Sequence, residues 1–126
     1  MNLPRPTILI ADDEPSIRET AGYILESEGY TVLLAANGEE AISLIRSRRP
    51  IAVLLDIEMP RKDGLAVCRE VKADPALRST YVILLTARGQ KKDEVEGLAA
   101  GADAYLTKPF DDEEILRRLD QVFARP

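Results

Sequence analysis

The sequence predicts an α/β domain, a single doubly wound sheet made of five βα units. Three observations carry that prediction: apolar runs of strand length alternate with segments of helical period, three of those runs are almost wholly apolar, and turn or cap residues separate them. The first strand is Thr7 to Ala11, and the helix after it turns Ile17, Ala21, Ile24 and Leu25 to one face before Gly29 offers a left-handed C-terminal cap. The second strand, Thr31 to Ala35, passes through the turn signal Asn37-Gly38 into a helix with Ala41, Leu44 and Ile45 inward, stopped by Pro50. The third strand is Ile51 to Leu55, and Asp63-Gly64 opens a helix from Gly64 to Ala73 of less regular period. The fourth strand, Tyr81 to Leu85, precedes a helix with Val95, Leu98 and Ala99 on one face, closed at Gly101. The fifth strand, Ala104 to Thr107, leads to a helix that groups Ile115, Leu119, Val122 and Phe123. The first, third and fourth strands are apolar on both faces and belong in the middle of the sheet.

At 126 residues the chain reads as one domain, 1–126. Folding at that size buries roughly two thirds of the unfolded surface, so no staple is needed. The single Cys68 has no disulfide partner and there is no histidine to complete a zinc site, which favours a reduced, cytoplasmic setting with Cys68 in the core. Residues 1–6 read as a short N-terminal extension without the features of a secretory signal. No apolar run approaches the ~20 residues that span a bilayer, so no membrane partner is expected. A net charge of −5, four Tyr, two Phe and no Trp argue against direct nucleic-acid binding by this chain.

In a doubly wound sheet, ligands sit beyond the carboxyl ends of the strands. Here those ends carry Asp12-Asp13-Glu14, Asp56, Thr86 and Lys108-Pro109. Two carboxylates about 4 Å apart repel by roughly 4 kcal/mol at an effective dielectric of ~20. A shared proton or a divalent cation would offset that, and oxygen-only ligands favour a hard ion, Mg²⁺ before Zn²⁺. Asp56 is the candidate nucleophile, a carboxylate closing a buried strand beside acids for a metal and hydroxyl and ammonium groups for phosphoryl oxygens. That set suits phosphoryl transfer, which needs in-line positioning and charge neutralisation more than acid-base relay. Taken singly, each residue also has a structural reading. Asp12, Asp13 or Glu14 caps a helix ahead of Pro15, Asp56 sits in a turn, Thr86 caps the fourth helix or occupies a strand edge, and Lys108-Pro109 is a loop. The acidic run Asp111 to Glu114 keeps its structural reading, as a capping pair and a complement to the helix dipole.

Four segments in order resemble response-regulator receivers of two-component systems: Ile8 to Glu14, Leu55 to Gly64, Leu85-Thr86-Ala87 and Gly101 to Phe110. The resemblance covers Thr7 to Ala124 and implies the flavodoxin-like, chemotaxis-type strand order 2-1-3-4-5. It implies that Asp56 takes a phosphoryl group from the phosphohistidine of a sensor histidine kinase or phosphotransfer protein. The chain would be a phosphorylation substrate that catalyses its own transfer and slow autodephosphorylation, rather than an enzyme acting on others. Mg²⁺, with Mn²⁺ as a substitute, would be held by Asp13, Asp56, the Glu58 backbone carbonyl and, through water, Asp12. Lys108, the Thr86 hydroxyl and the Ala87 amide would meet phosphoryl oxygens, and the Lys108-Pro109 bond would be cis. Thr86 and Tyr105 would form the switch, changing an output face on the fourth helix, fifth strand and fifth helix. Glu58 and Arg88 stand where receivers tune phosphoryl lifetime.

The segment Thr86 to Tyr105 looks most like receivers of winged-helix transcription factors, which dimerise on that face upon phosphorylation. Arg118 and Asp103 match their charge pattern, whereas Ala104, Glu94 and Glu96 depart from it. Residues 125–126 fall where a linker to a covalently attached output domain would start, so both a free-standing protein acting on a downstream partner and a receiver cut from a longer regulator fit. An aspartate-nucleophile phosphatase would want a second Asp two residues after the first, where this chain has Glu58. A flavin-binding module would want a Ser/Thr/Gly-rich loop after the first strand, where this chain has acids.

Overall fold

The computed structural model describes residues 6–87 and 91–123, with the side chain of Phe123 left aside. Residues 1–5, 88–90 and 124–126, Arg88 and Ala124 among them, lie outside the described residues. Strands and helices alternate through β1 (Thr7–Ala11), α1 (Pro15–Ser27), β2 (Thr31–Ala35), α2 (Gly38–Arg48), β3 (Ala52–Asp56), α3 (Gly64–Ala73), β4 (Tyr81–Ala87), α4 (Lys91–Ala99), β5 (Ala104–Lys108) and α5 (Asp112–Phe123). The strands form one parallel sheet in the order β2-β1-β3-β4-β5, with β1, β3 and β4 central.

Alternation along the strands splits the core into two layers. Leu9, Val53, Leu55, Val82 and Leu84 pack with Ile45 of α2 and Val67, Cys68 and Val71 of α3. Ile8, Ile10, Leu54, Ile83 and Leu85 pack on the other face with Leu25 of α1 and Ile115 and Leu119 of α5. A central strand is therefore apolar on both faces along its buried run, the pattern visible in the sequence.

Three strands extend past their predicted ends. The third runs one residue later, and the fourth and fifth continue through Ala87 and Lys108. Pairing explains this: Asp56 stands opposite Leu85, Thr86 opposite Thr107 and Ala87 opposite Lys108, so the ladder continues where apolarity stops. The polar residues of interest are thus fixed by sheet hydrogen bonding.

The fourth helix differs more. Val95 and Leu98 are 62% and 59% exposed, Ala99 is exposed too, and the residues facing the sheet are Gly97 and Ala100. A Cβ on Gly97 would come within 2.5 Å of Leu84 Cδ1, so α4 lies too close to β4 for a larger residue. Hydrophobic periodicity counts side chains and cannot register a contact made by their absence.

Helix ends follow the predicted signals. Asn37 accepts from the Glu40 amide while Glu40 Oε1 accepts from the Ala36 amide, a reciprocal cap on α2. Asp63 caps α3 by accepting from the Ala66 amide, and Asp111 and Glu114 exchange bonds at the start of α5. Gly29 and Gly101 hold φ of 92° and 96°, the left-handed conformation expected of them.

Candidate functional site

The carboxyl ends of β1, β3, β4 and β5 converge on a cleft of about 480 Å³ lined by Asp13, Glu14, Asp56, Glu58, Ala87 and Lys108. Asp12 is the innermost group and fully buried. Its Oδ1 accepts from the Glu14 amide at 2.9 Å, and its carbonyl accepts from Arg18 Nη1 at 2.7 Å. Its Oδ2 lies 2.8 Å from Lys108 Nζ, a charge contact without hydrogen-bond geometry, so that oxygen has no hydrogen-bond partner among the described residues. The acids after β1 are not helix caps: Glu14 holds the N-cap position of α1 and makes no side-chain cap bond, and Asp12 turns back only to its own loop.

Asp56 is the last residue of β3 and only 6% exposed. Its Oδ1 is 3.3 Å from Lys108 Nζ, and one carboxylate oxygen from each of Asp12, Asp13 and Asp56 falls within 4.8 Å of the others. Burial raises the Asp56 pKa, the Asp12 charge raises it further, and Lys108 only partly opposes them, leaving it at about 7. Burial alone would lower the Lys108 pKa, but contacts with Asp12 and Asp56 outweigh it and hold the ammonium above its ordinary value. Three acids face one ammonium, with Glu14 a further 3.9 Å neighbour of Lys108.

The donor set fits a hard divalent cation. It offers oxygens only, one of them an orphaned buried carboxylate atom, and carries an excess of negative charge that a cation would neutralise. The structure therefore brings Asp12, Asp13, Asp56 and Lys108 together and puts Glu58 and Ala87 on the rim. Thr86 is near but turned away: it is buried, and its hydroxyl donates to the Leu106 carbonyl at 3.4 Å. Tyr105 is half-buried against the α2/α3 core layer. The Lys108-Pro109 peptide is cis.

Two features escaped the sequence reading. Asp93, in the first turn of α4, also lines the cleft, and only its place on that lining distinguishes it from an ordinary dipole-complementing acid. Gly64 passes so close to the Asp56 carbonyl that any Cβ there would collide with it, a role hidden behind the Asp63-Gly64 turn signal. One charge proposed for pairing between chains is engaged within this one: Asp103 Oδ2 accepts from Lys72 Nζ at 2.7 Å and from the Val82 amide at 2.8 Å.

The family model for the response regulator receiver domain matches residues 8–120. Response regulator MprA of Mycolicibacterium vanbaalenii is 48% identical over 122 residues, covering 94% of this chain and 50% of that protein. The DNA-binding dual master transcriptional regulator RpaA of Synechocystis is 40% identical over 120 residues, covering 95% and 50%. The chain thus spans about half the length of these relatives. Among solved structures, the receiver domain of sensor histidine kinase PA1611 from Pseudomonas aeruginosa, with magnesium coordinated in its active-site cleft, superposes with a TM-score of 0.88 at 33% identity, covering 96% of this chain and 99% of that one. Chemotaxis response regulator CheY4 of Vibrio cholerae gives 0.87 at 31%, covering 94% and 98%. With the matched region reaching from β1 past β5 and taking in the acidic cleft at the strand ends, the chain belongs to the response regulator receiver domain family of two-component signalling.

Proposed function

We propose that this domain is a phosphoacceptor switch in which Asp56 takes a phosphoryl group from the phosphohistidine of a sensor kinase or phosphotransfer protein. The observation that carries the reading is the placement of Asp56, nearly buried at the end of a central strand, 3.3 Å from the Lys108 ammonium and beside Asp12 and Asp13. An Asp56 carboxylate oxygen attacks phosphorus, the phosphorus–nitrogen bond breaks, and the imidazole leaves as the neutral ring once protonated. The product is an acyl phosphate on Asp56. Asp13, Asp56 and the Glu58 carbonyl, with Asp12 through water, would hold Mg²⁺, or Mn²⁺ in its place, which would supply charge neutralisation at the phosphoryl oxygens. Lys108 moves its contact from the Asp56 carboxylate to a phosphoryl oxygen, and the Ala87 amide meets another. Thr86 gives up the Leu106 carbonyl for the phosphoryl group, and Tyr105 turns inward behind it. Hydrolysis of the acyl phosphate by this same site resets the switch, and Glu58 on the cleft rim influences its lifetime.

The named functions of MprA and RpaA support a reading in which the domain controls an output module, joined to it or separate, in the cytoplasm. Among the described residues no helix is long and apolar enough to cross a membrane. Phosphorylation-dependent dimerisation through α4, β5 and α5 would use Asp103 only at the expense of its pairing with Lys72. Intact-protein mass spectrometry after incubation with acetyl phosphate tests the chemistry. A single phosphoryl adduct that needs Mg²⁺, is cleaved by hydroxylamine and is missing from Asp56→Asn is expected. An adduct of unchanged yield in that variant would refute the assignment of the nucleophile.

A further inference from the structure

The loop of residues 57–63 carries the Glu58 carbonyl, and its two ends are anchored differently. At the start, Ile57 and Met59 are buried, and the Gly64 amide donates to the Ile57 carbonyl at 2.9 Å while Gly64 closes on Asp56. The outer limb, residues 60–62, has weaker ties. Arg61 and Glu39 stand 3.7 Å apart with both side chains more than half exposed, a pairing worth little. Lys62 reaches Glu70 at 2.6 Å through a long flexible side chain, and Arg61 holds a left-handed φ of 70°.

What the limb does have is a close backbone contact with the first residue of α2. Gly38 is buried, and a Cβ built on it would lie far inside van der Waals contact with the Lys62 carbonyl oxygen, its carbonyl carbon and its Cβ. A methyl group at this point forces α2 and the loop apart. The helix is the firmer of the two, capped by Asn37 and packed into the core by Ala41 and Ile45, so the loop yields. The limb joins Glu58 through Met59 alone, so its displacement is passed to the Glu58 carbonyl unless the buried Met59 absorbs it.

We propose that Gly38 is a positioning residue for the cleft: the missing side chain lets α2 seat the outer limb of the 57–63 loop and so sets where the Glu58 carbonyl stands. This rests on the proposed metal-assisted function, with Glu58 as a carbonyl ligand. Gly38 touches neither metal nor phosphoryl group and acts only through the loop.

The test compares wild type, Gly38→Ala and Asn37→Ala. Asn37→Ala removes the cap of the same helix without pushing on the loop. Two quantities are measured: Mg²⁺ affinity by calorimetric titration, and amide hydrogen exchange of the loop and Gly64 in metal-free protein. Gly38→Ala is expected to weaken Mg²⁺ binding on the order of tenfold, as loss of outer-shell support does at metal sites, and to speed exchange at Gly64. Asn37→Ala should keep wild-type values in both. Wild-type affinity and exchange in Gly38→Ala, or equal losses in Asn37→Ala, overturn the proposal. Should Gly38→Ala fail to fold, Lys62→Gly removes the one side-chain atom of the contact, the Lys62 Cβ, and frees the limb backbone; relative to Lys62→Ala, which keeps that Cβ and equally loses the Glu70 pair, it should move both readouts the same way, and equal values in the two variants overturn the proposal. If wild type itself takes up no Mg²⁺ and forms no acetyl phosphate adduct, the functional reading fails instead, while the metal-free exchange data still decide how the loop is seated.

Discussion

Removing the Asp56 charge should stabilise the metal-free domain. The folded state raises the Asp56 pKa from 3.8 to about 7, through burial first and the Asp12 charge second. A carboxyl shifted upward binds a proton more readily when folded, so stability from this group is greatest at low pH and is lost as pH rises from about 4 to about 7. A shift of that size corresponds to about 4 kcal/mol as a ceiling. Relaxation of Lys108 and solvent at the cleft mouth reduce it, so Asp56→Asn, which mimics the protonated form, should gain about 1–4 kcal/mol at pH 8. Urea unfolding in EDTA, followed by circular dichroism, reads this directly. The gain should fall to less than half near pH 5, and saturating Mg²⁺ should narrow it at pH 8 by stabilising wild type. A variant no more stable than wild type at pH 8, or a gain independent of pH, would refute the picture of Asp56 as a strained carboxylate.

Lys108→Met leaves buried Asp12 without its one ammonium contact and should cost roughly 3–5 kcal/mol in EDTA by the same urea assay. Its phosphorylation-dependent output should also be lost or uncoupled from labelling, and wild-type output would exclude the role given to that lysine. Gly97→Val should destabilise by about 1–3 kcal/mol through its collision with Leu84, whereas Leu98→Ser, on the exposed face of the same helix, should stay within about 0.5 kcal/mol. Reversed sizes would mean that α4 packs on the face sequence periodicity chose. The Cys68 thiol is fully buried, and burial pushes it up to about 11, so iodoacetamide at pH 8 should label it only as fast as the domain opens. Rapid labelling under native conditions would contradict that burial.

The strands were legible because a parallel sheet covered on both faces demands uninterrupted apolarity, and β1, β3 and β4 have it. The grouping of Asp12, Asp13, Asp56 and Lys108 was legible because acids and a lysine fall at the ends of β1, β3 and β5, which this sheet order brings together. What sequence could not convey was close approach at glycine, to a backbone or to a packed side chain. Gly97 against Leu84, Gly64 against Asp56 and Gly38 against Lys62 are contacts of missing atoms, and a string of letters ranks glycine as punctuation. The inward face of α4 was misread for that reason. The resting orientation of Thr86 was hidden too, since a strand-end hydroxyl can point either into the cleft or along the ladder.

That orientation bears on the fidelity of the signal. The Thr86 hydroxyl reaches the Leu106 carbonyl at 3.4 Å, near the limit of a hydrogen bond. A bond of this kind contributes about 1 kcal/mol or less, a factor of about five in the balance between two side-chain orientations. On the proposed function, such a latch adds no more than that factor against a background of active-like molecules, and the phosphoryl group needs to supply little energy to break it. A cell using this domain would then trade silence in the absence of stimulus for sensitivity to weak stimuli. Shortening the latch would quieten the background and raise the threshold together.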